Sequence, residues 1–194
     1  MIVKKWGVVA YNEAREAMDE VHKCAVADGE NYLILCSHPN IFTVGSGSQE
    51  RFEENVIACD RGGSVTCHSP GQNIFYFCFQ VKHPPLFYRK VLSAFESFFQ
   101  NHLPAVKYDK TRPGFYIENR KIASLGFRYR DGVSLHGVAL NVDVDLDFHS
   151  KIAPCNLEGI VPTSLHNEGL YLTQEQINAS LVEYIVKSFD DAAL

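Results

Sequence analysis

The chain has 194 residues, of which 46% are hydrophobic and 21% are charged, and its formal net charge is −5. These values are typical of globular proteins, and the length suits one domain spanning residues 1–194. The negative charge argues against a general nucleic-acid binder, which needs many Lys and Arg on one face. The longest clean apolar run, residues 74–79, is far shorter than the roughly 20 residues of a membrane helix, so we expect no membrane partner.

The first predicted element is a helix with Asn12 as its N-cap and residues 28–29 at its end, because apolar residues recur between them at helical spacing. Residues 32–36 predict a short buried strand. A loop rich in Pro, Gly and Ser then continues through Ser48, and a charged patch follows at residues 50–54.

The next segments alternate between strands and a helix. Residues 56–59 predict a short strand, and the apolar run 73–81 predicts a strand that is buried on both faces. Pro84 can start a helix, and the residues that follow form one apolar face up to about His102.

Residues 115–117 and 122–127 flank a polar turn, which is the composition of a hairpin and places Lys121 at the start of its second strand. Apolar residues alternate with more polar ones from Val138 to Leu146, which predicts a strand with one buried and one wet face.

The last predicted element is a helix that begins at a capping box, Thr173 to Gln176, and carries apolar residues at helical spacing. Strands and helices alternate irregularly along the chain, and hairpins connect some of the strands. We therefore predict an α+β fold with a mixed, largely antiparallel sheet and flanking helices.

Two sequence motifs contain a lysine and a cysteine that can transfer an acyl group. Lys121 lies in Arg-Lys-Ile-Ala-Ser-Leu-Gly, and Cys155 lies in Ile-Ala-Pro-Cys-Asn. A thiolate attacks thioesters well, but a free cysteine is only a few per cent ionised at neutral pH. A nearby lysine can favour the thiolate as an ammonium, or accept a proton as a free amine, with its own pKa lowered by partial desolvation.

Together with His-Gly-Val-Ala-Leu-Asn-Val at 136–142 and Arg-Gly-Gly-Ser-Val-Thr-Cys-His-Ser-Pro-Gly-Gln at 61–72, these motifs resemble those of the lipoyl(octanoyl) transferases over residues 38–165. The resemblance implies the biotin/lipoate protein ligase and transferase fold. It also implies that Lys121 and Cys155 are the catalytic pair and that Cys155 carries the acyl group as a thioester.

The resemblance further implies the substrates. The donor would be octanoyl-acyl carrier protein, and the acceptors would be apo lipoyl domains of 2-oxoacid dehydrogenase complexes or the glycine cleavage H protein. No metal or nucleotide cofactor is required. Six cysteines without paired CxxC spacing suggest reduced thiols, and the start of the chain lacks the features of a signal peptide, so we expect a cytoplasmic protein.

By the same resemblance, three motifs line the substrate site. Their glycines allow a backbone to lie close to the substrate, and backbone N–H groups there can form an oxyanion hole. The histidines either donate to the carbonyl or serve a structural role. The predicted substrate-binding residues are Arg61, Gly62, Gly63, Ser64, Val65, Thr66, Cys67, His68, Ser124, Leu125, Gly126, His136, Gly137, Val138 and Ala139.

The chain departs from the family pattern at several positions. The family usually has glutamine at Ser64, tyrosine at Cys67, glycine at Ser69 and Asn156, and often arginine at Ser46. Asn156 adds a side chain beside the predicted nucleophile. The departure at position 67 puts a thiol beside an imidazole, but neighbours on a strand point to opposite faces, which favours Cys155 over Cys67 as the nucleophile.

Other functions are disfavoured or left as alternatives. The acidic run 143–147 lacks the glycine and glutamate of a calcium loop, the glycines at 45–47 do not complete a dinucleotide motif, and no close Cys/His quartet suggests zinc. One alternative is an ATP-dependent lipoate or biotin ligase, which needs the lysine but not Cys155. The other is a non-catalytic module that binds the carrier protein.

Overall fold

The computed structural model describes residues 1–47, 56–151 and 159–190. The predicted charged patch 50–54 and Cys155 with its neighbours lie outside these ranges. In chain order, the helices and strands of the described residues are β1 Ile2–Val8, α1 Tyr11–Asp28, β2 Tyr32–Ser37, β3 Ile41–Val44, β4 Val56–Ala58, β5 Val65–His68, β6 Gln72–Cys78, α2 Pro84–His102, β7 Lys107–Asp109, β8 Gly114–Ile117, β9 Arg120–Arg130, β10 Val133–Asn141, α3 Leu146–His149, β11 Val161–Pro162 and α4 Gln174–Asp190.

Within the described part of the chain, the strands form two sheets. The large sheet has the order β1-β2-β6-β10-β9-β8-β7, and β11 pairs with β9. Its β1–β2 and β11–β9 pairs are parallel, and its other pairs are antiparallel. The small sheet has the order β4-β3-β5. This mixed, mostly antiparallel arrangement with flanking helices confirms the predicted α+β fold.

Strand β6 lies between two apolar layers. Because successive side chains of a strand point to opposite faces, Phe75 and Phe77 pack in the core cluster that includes residues of α2 and α4. Ile74 and Tyr76 pack in a second cluster with residues of α1. Every residue of β6 is buried, which confirms the prediction of a strand covered on both faces.

Several local predictions are confirmed. Helix α1 ends at Gly29, whose φ of 76° is left-handed, and helix α2 has the predicted bounds. Strands β8 and β9 form the predicted hairpin. The capping box of α4 is made, because Gln176 N–H donates to Thr173 Oγ1 at 3.2 Å and Thr173 N–H donates to Gln176 Oε1 at 2.9 Å.

The prediction for β10 is wrong in two respects. The strand ends at Asn141, and Leu146 begins the short helix α3, which Asp145 caps by accepting hydrogen bonds from two backbone N–H groups. No residue of β10 is wet, because both faces are covered: Val138 and Leu140 pack in the core cluster with α2 and α4, and Leu135 and Ala139 pack in the second cluster with α1. Its polar side chains have buried partners instead; Ser134 Oγ, for example, donates to Phe77 O at 2.8 Å.

Other corrections concern the first half of the chain. The N-cap of α1 is Ala10 and not Asn12, which lies inside the helix. Strand β3 lies within the segment that composition assigned to a loop, and β1, β5, β7 and β11 were not predicted. These strands are short or, in β1, at a sheet edge, so their apolar patterns are weak. Among the described residues, no helix is long and apolar enough to cross a membrane.

Candidate active site

Lys121 lies near the start of β9, next to the β8–β9 turn, as predicted. The β8–β9 register shifts between Phe115 and Tyr116, so β9 carries one extra residue, Ile122, and such bulges redirect side chains. Lys121 is buried, and its Nζ lies 5.6 Å from the centroid of the Tyr116 ring. Gly114 leaves space for the lysine stem, because a Cβ there would lie 2.9 Å from Lys121 Cε.

The chain on both sides of residues 152–158 reaches Lys121. His149 precedes this segment and Pro162 follows it, and both line a cavity of about 30 Å³ together with Lys121, which we call the Lys121 cavity. Pro162 also aligns with Lys121 in the parallel β11–β9 pair. Cys155 itself lies outside the described residues.

The turn at residues 61–64 is held against the end of β3. Gly45 N–H donates to Ser64 O, Ser46 N–H to Arg61 O and Gly47 N–H to Gly63 O, each at 3.0 Å. Arg61 is buried, and its Nη2 donates to the backbone and side-chain oxygens of Thr43, both at 3.0 Å. Gly63 has a φ of 86°, which explains why glycine occupies this position. The turn is therefore part of the small sheet's scaffold.

Two of the predicted site glycines make room for protein atoms. A Cβ on Gly126 would lie 2.8 Å from Gly62 O, and a Cβ on Gly137 would collide with Phe75 O. Gly126 thereby lets the 61–64 turn approach β9, and Gly62 N–H donates to Phe127 O at 3.0 Å. The close approach shown at these two glycines is between protein backbones, and their expected approach to a substrate stays a prediction.

His136 has a left-handed backbone in the middle of β10, with a φ of 63°. For a residue other than glycine this conformation costs on the order of 1–3 kcal/mol. The imidazole is buried, and Nε2 donates to Asp60 Oδ1 at 2.8 Å. Hydrogen bonding to His136 is the main cause that holds the pKa of Asp60 well below its usual value.

A chain of buried polar groups runs from the small sheet towards β9. His68 Nδ1 donates to Gln72 Oε1 at 2.8 Å, and Gln72 Nε2 donates to Asn141 Oδ1 at 2.9 Å. Asn141 Nδ2 then donates to Thr163 O at 2.9 Å, and Thr163 N–H donates to Lys121 O at 2.9 Å. Burial holds the pKa of His68 well below its usual value, so this imidazole is neutral at pH 7.

Three cavities meet at Thr66 and Ser124, which line all of them. They are the Lys121 cavity, a second one of about 30 Å³ that we call the His136 cavity, and a large cavity of about 480 Å³. The large cavity has a size typical of ligand sites. The other predicted residues divide among the three cavities. The Lys121 cavity is lined by Val65 and Cys67, and the His136 cavity by His68, His136, Gly137, Val138 and Ala139. The large cavity is lined by Lys121, Gly62, Gly63 and Ser64, and it shares Arg61, Leu125 and Gly126 with the His136 cavity.

The structure thus brings together every predicted site residue that it describes, and it adds residues to these cavities that were not predicted. The large cavity has an aromatic wall and a basic residue at positions that carried no motif. The predicted hairpin and the predicted helix α2 were the available signals, since Phe127 and Tyr88 lie on them. The additional residues include Tyr88, Arg112, Pro113, Phe127 and Tyr129 in the large cavity, and Gln72, Asn141 and His149 in the Lys121 cavity.

Cys67 and His68 line different cavities, as expected for neighbours on a strand. Burial raises the pKa of the Cys67 thiol to about 12, so this cysteine is protonated and a poor nucleophile at neutral pH. In the described part of the chain, no group of three or more His, Cys, Asp or Glu side chains is arranged to hold a metal ion.

Ser69, one of the departures from the family pattern, contacts a buried histidine. Ser69 Oγ and His149 Nε2 lie 2.8 Å apart and form a hydrogen bond. Burial lowers the pKa of His149 to about 4, so the imidazole in the Lys121 cavity is neutral at pH 7. The serine therefore has a structural partner that a glycine would lack.

Solved structures with a similar fold are ligases for lipoate and biotin. A chain in the structure of the bi-partite lipoate protein ligase and its E2 lipoyl domain from Thermoplasma acidophilum has a TM-score of 0.76, at 13% identity over 97% of this chain and 83% of that chain. Lipoate-protein ligase A bound with ATP has a TM-score of 0.71, at 13% identity over 97% and 86%. The fold is that of these protein ligases.

Sequence comparison narrows this class. Residues 10–186 match the family described as the lipoyl protein ligase A/B catalytic domain. The octanoyltransferase of Vibrio atlanticus (strain LGP32) is 33% identical over 96% of this chain and 90% of the relative, and that of Marinomonas sp. (strain MWYL1) is 36% identical over 89% and 86%. The chain belongs to the octanoyltransferase family, and it is an acyltransferase. The resemblance stated from the motifs is confirmed.

Proposed function

We propose that residues 1–194 form one octanoyltransferase domain that moves an octanoyl group from acyl carrier protein to a lysine of an apo lipoyl domain through a thioester on Cys155. The observation that carries the proposal is the convergence at Lys121. His149 and Pro162, which flank residues 152–158, line the same cavity as Lys121. A segment of seven residues is short enough to keep Cys155 within reach of that lysine.

In the first half-reaction, the Cys155 thiolate attacks the thioester carbonyl of the octanoyl donor. A bond forms between the carbonyl carbon and the cysteine sulfur, and the bond to the carrier thiol breaks. Lys121 takes the proton from Cys155 and returns one to the departing carrier thiolate. The thioester exchange is nearly balanced in energy, so positioning and proton transfer are the tasks left for the protein.

In the second half-reaction, the acceptor amine attacks the Cys155 thioester. A carbon–nitrogen bond forms, the carbon–sulfur bond to Cys155 breaks, and the amine proton passes by way of Lys121 to the cysteine sulfur. This step needs the neutral amine of Lys121.

The large cavity is the proposed site of the octanoyl chain. Its wall includes Leu125 and Phe127 together with Tyr88 and Tyr129, and this apolar surface suits a saturated acyl group. Burying the chain would contribute on the order of 5 kcal/mol, from about 0.8 kcal/mol per methylene. The Thermoplasma acidophilum ligase has an E2 lipoyl domain as its partner, which supports a lipoyl domain as the acceptor here.

The proposal is tested by mixing the purified protein with octanoyl-acyl carrier protein and an apo lipoyl domain in the absence of ATP. We expect an octanoyl group on the lipoyl-domain lysine with the wild type, none with Cys155→Ser, and the wild-type amount with Cys24→Ser, which alters an exposed cysteine. Modification only with ATP and free octanoate would indicate the ligase. Binding of carrier protein without modification would indicate a non-catalytic module.

A further inference from the structure

The carboxylate of Asp60 joins the two sheets at the edge of the cavities. Its Oδ1 accepts the hydrogen bond from His136 on β10, and its Oδ2 lies 3.2 Å from Arg128 Nε on β9. His136 and Arg128 lie on adjacent strands, since Leu135 pairs with Arg128 and His136 pairs with Phe127. One side chain from the segment after β4 therefore contacts two central strands of the large sheet.

Asp60 directly precedes the turn at residues 61–64, which lines the large cavity. Among the described backbone hydrogen bonds, one joins this turn to β9: Gly62 N–H donates to Phe127 O. Its other described backbone hydrogen bonds go to residues 45–47, at the end of β3 in the small sheet. The turn also packs closely on β9, because a Cβ on Gly126 would lie 2.8 Å from Gly62 O and 3.2 Å from Arg61 Cδ. The Asp60 carboxylate adds side-chain contacts to β9 and β10 immediately before the turn.

The backbone of His136 supports this interpretation. A strand residue other than glycine adopts a left-handed φ only when its surroundings hold it there. The described polar contact of the His136 imidazole is with Asp60, and its ring also lies edge-on to Tyr76 at 6.3 Å between centroids. The low pKa of Asp60 keeps the carboxylate ionised at neutral pH, so it accepts the hydrogen bond from His136 and forms an ion pair with Arg128.

We propose that Asp60 is a positioning residue for acyl transfer: through His136 and Arg128 it holds the turn at residues 61–64 against β9, where the turn lines the large cavity together with Lys121. This inference rests on the proposed function for its catalytic consequence. Its structural part, the docking of the turn on β9, does not.

The structural part is tested by hydrogen–deuterium exchange of the Gly62 amide, which bonds to Phe127 O. In Asp60→Ala we expect exchange at Gly62 to rise at least tenfold while exchange at Phe77, in the buried centre of β6, stays unchanged. His136→Gly should give the same result, although glycine relieves the left-handed strain. Unchanged exchange at Gly62 in both variants would overturn the proposal, as would an equal rise at Phe77.

The matched control is Asp19→Asn. Asp19 Oδ1 lies 2.7 Å from Arg130 Nη2, so this pair also joins a carboxylate from another element to a β9 arginine, and the two pairs have comparable exposure. Asp19 does not line the three cavities. We expect Asp19→Asn to change neither Gly62 exchange nor octanoyl transfer.

The catalytic consequence is tested by steady-state transfer with octanoyl-acyl carrier protein and an apo lipoyl domain. Asp60→Ala should lower kcat at least tenfold with a smaller change in KM, and Asp60→Glu should restore part of the loss. A wild-type kcat in Asp60→Ala would overturn the positioning role. If the wild type itself transfers no octanoyl group, the proposed function fails, and the exchange data still decide whether Asp60 docks the turn.

Discussion

Two regions of the molecule are stabilised by different kinds of interaction. One is the face of the large sheet that α2 and α4 cover, and the other is the small sheet. Under α2 and α4 the contacts are between apolar side chains, with Phe75, Phe77 and Phe95 fully buried. The small sheet is fixed instead by polar groups, such as Arg61 on Thr43. Apolar packing contributes mainly to the free energy of unfolding, whereas directional polar contacts set where the cavity walls lie. Stability and transfer should therefore respond to different substitutions.

The largest expected effect is on transfer. Lys121→Met keeps an apolar stem but removes the amine, so we expect octanoyl transfer to fall about 10²- to 10⁴-fold, the usual contribution of a positioned acid–base group. The midpoint of urea unfolding should change little. Lys107→Met, at an exposed position on β7, is the control. Transfer at the wild-type rate in Lys121→Met would remove this lysine from the mechanism.

The second effect is on stability. Gly137→Ala places a methyl group against Phe75 O between two paired strands, so we expect it to destabilise the fold by about 3 kcal/mol or more. Gly62→Ala is the comparison, because its Cβ would make an ordinary 3.4 Å contact with Phe127 O. Urea unfolding should separate the two variants. Equal losses of stability would contradict the assignment of Gly137 to close packing in the sheet.

The third effect depends on pH. Burial lowers the pKa of His149 to about 4 from its ordinary 6.5, so the unfolded chain binds the proton more tightly. The stability contributed by the neutral imidazole is complete above pH 6.5 and is lost as pH falls towards 4. We expect the free energy of unfolding of the wild type to be about 2 kcal/mol lower at pH 5 than at pH 8 because of this histidine. His149→Gln should not show this contribution. His102→Gln is the surface control, and equal acid sensitivity in wild type and His149→Gln would refute the burial argument.

The smallest effect separates a helix cap from the site. Thr173→Ala removes the side-chain acceptor for Gln176 N–H, which should lower the free energy of unfolding by about 1 kcal/mol. Octanoyl transfer at 25 °C should stay at the wild-type level, because Thr173 does not line the three cavities. A loss of transfer without a loss of stability would mean that α4 acts on the site.

The contrast between the two regions also explains what sequence could predict. Helices α2 and α4 and strand β6 were predictable because the periodicity of their apolar residues is local information. The burial of the second face of β10 was not, because Ser134 and Asn141 are satisfied by partners that are distant in sequence. For the same reason, local sequence patterns do not reveal the link from Asp60 to His136.

The candidate site was predictable from its resemblance to a family and not from local periodicity. The resemblance grouped the three motifs, and their described residues line cavities that meet at Thr66 and Ser124. The aromatic residues Tyr88 and Phe127 carry no motif, since any large apolar side chain can form such a wall. The bulge that places Lys121 depends on pairing with β8, which a single strand's pattern does not encode.

The most direct test of the account is intact-mass spectrometry of the purified protein after mixing with octanoyl-acyl carrier protein alone, followed by peptide mapping of any adduct. The account predicts one octanoyl thioester on Cys155, which disappears when an apo lipoyl domain is added. An adduct on Cys67, or no adduct in a protein that still modifies the lipoyl domain, would contradict a Cys155 acyl-enzyme formed next to Lys121.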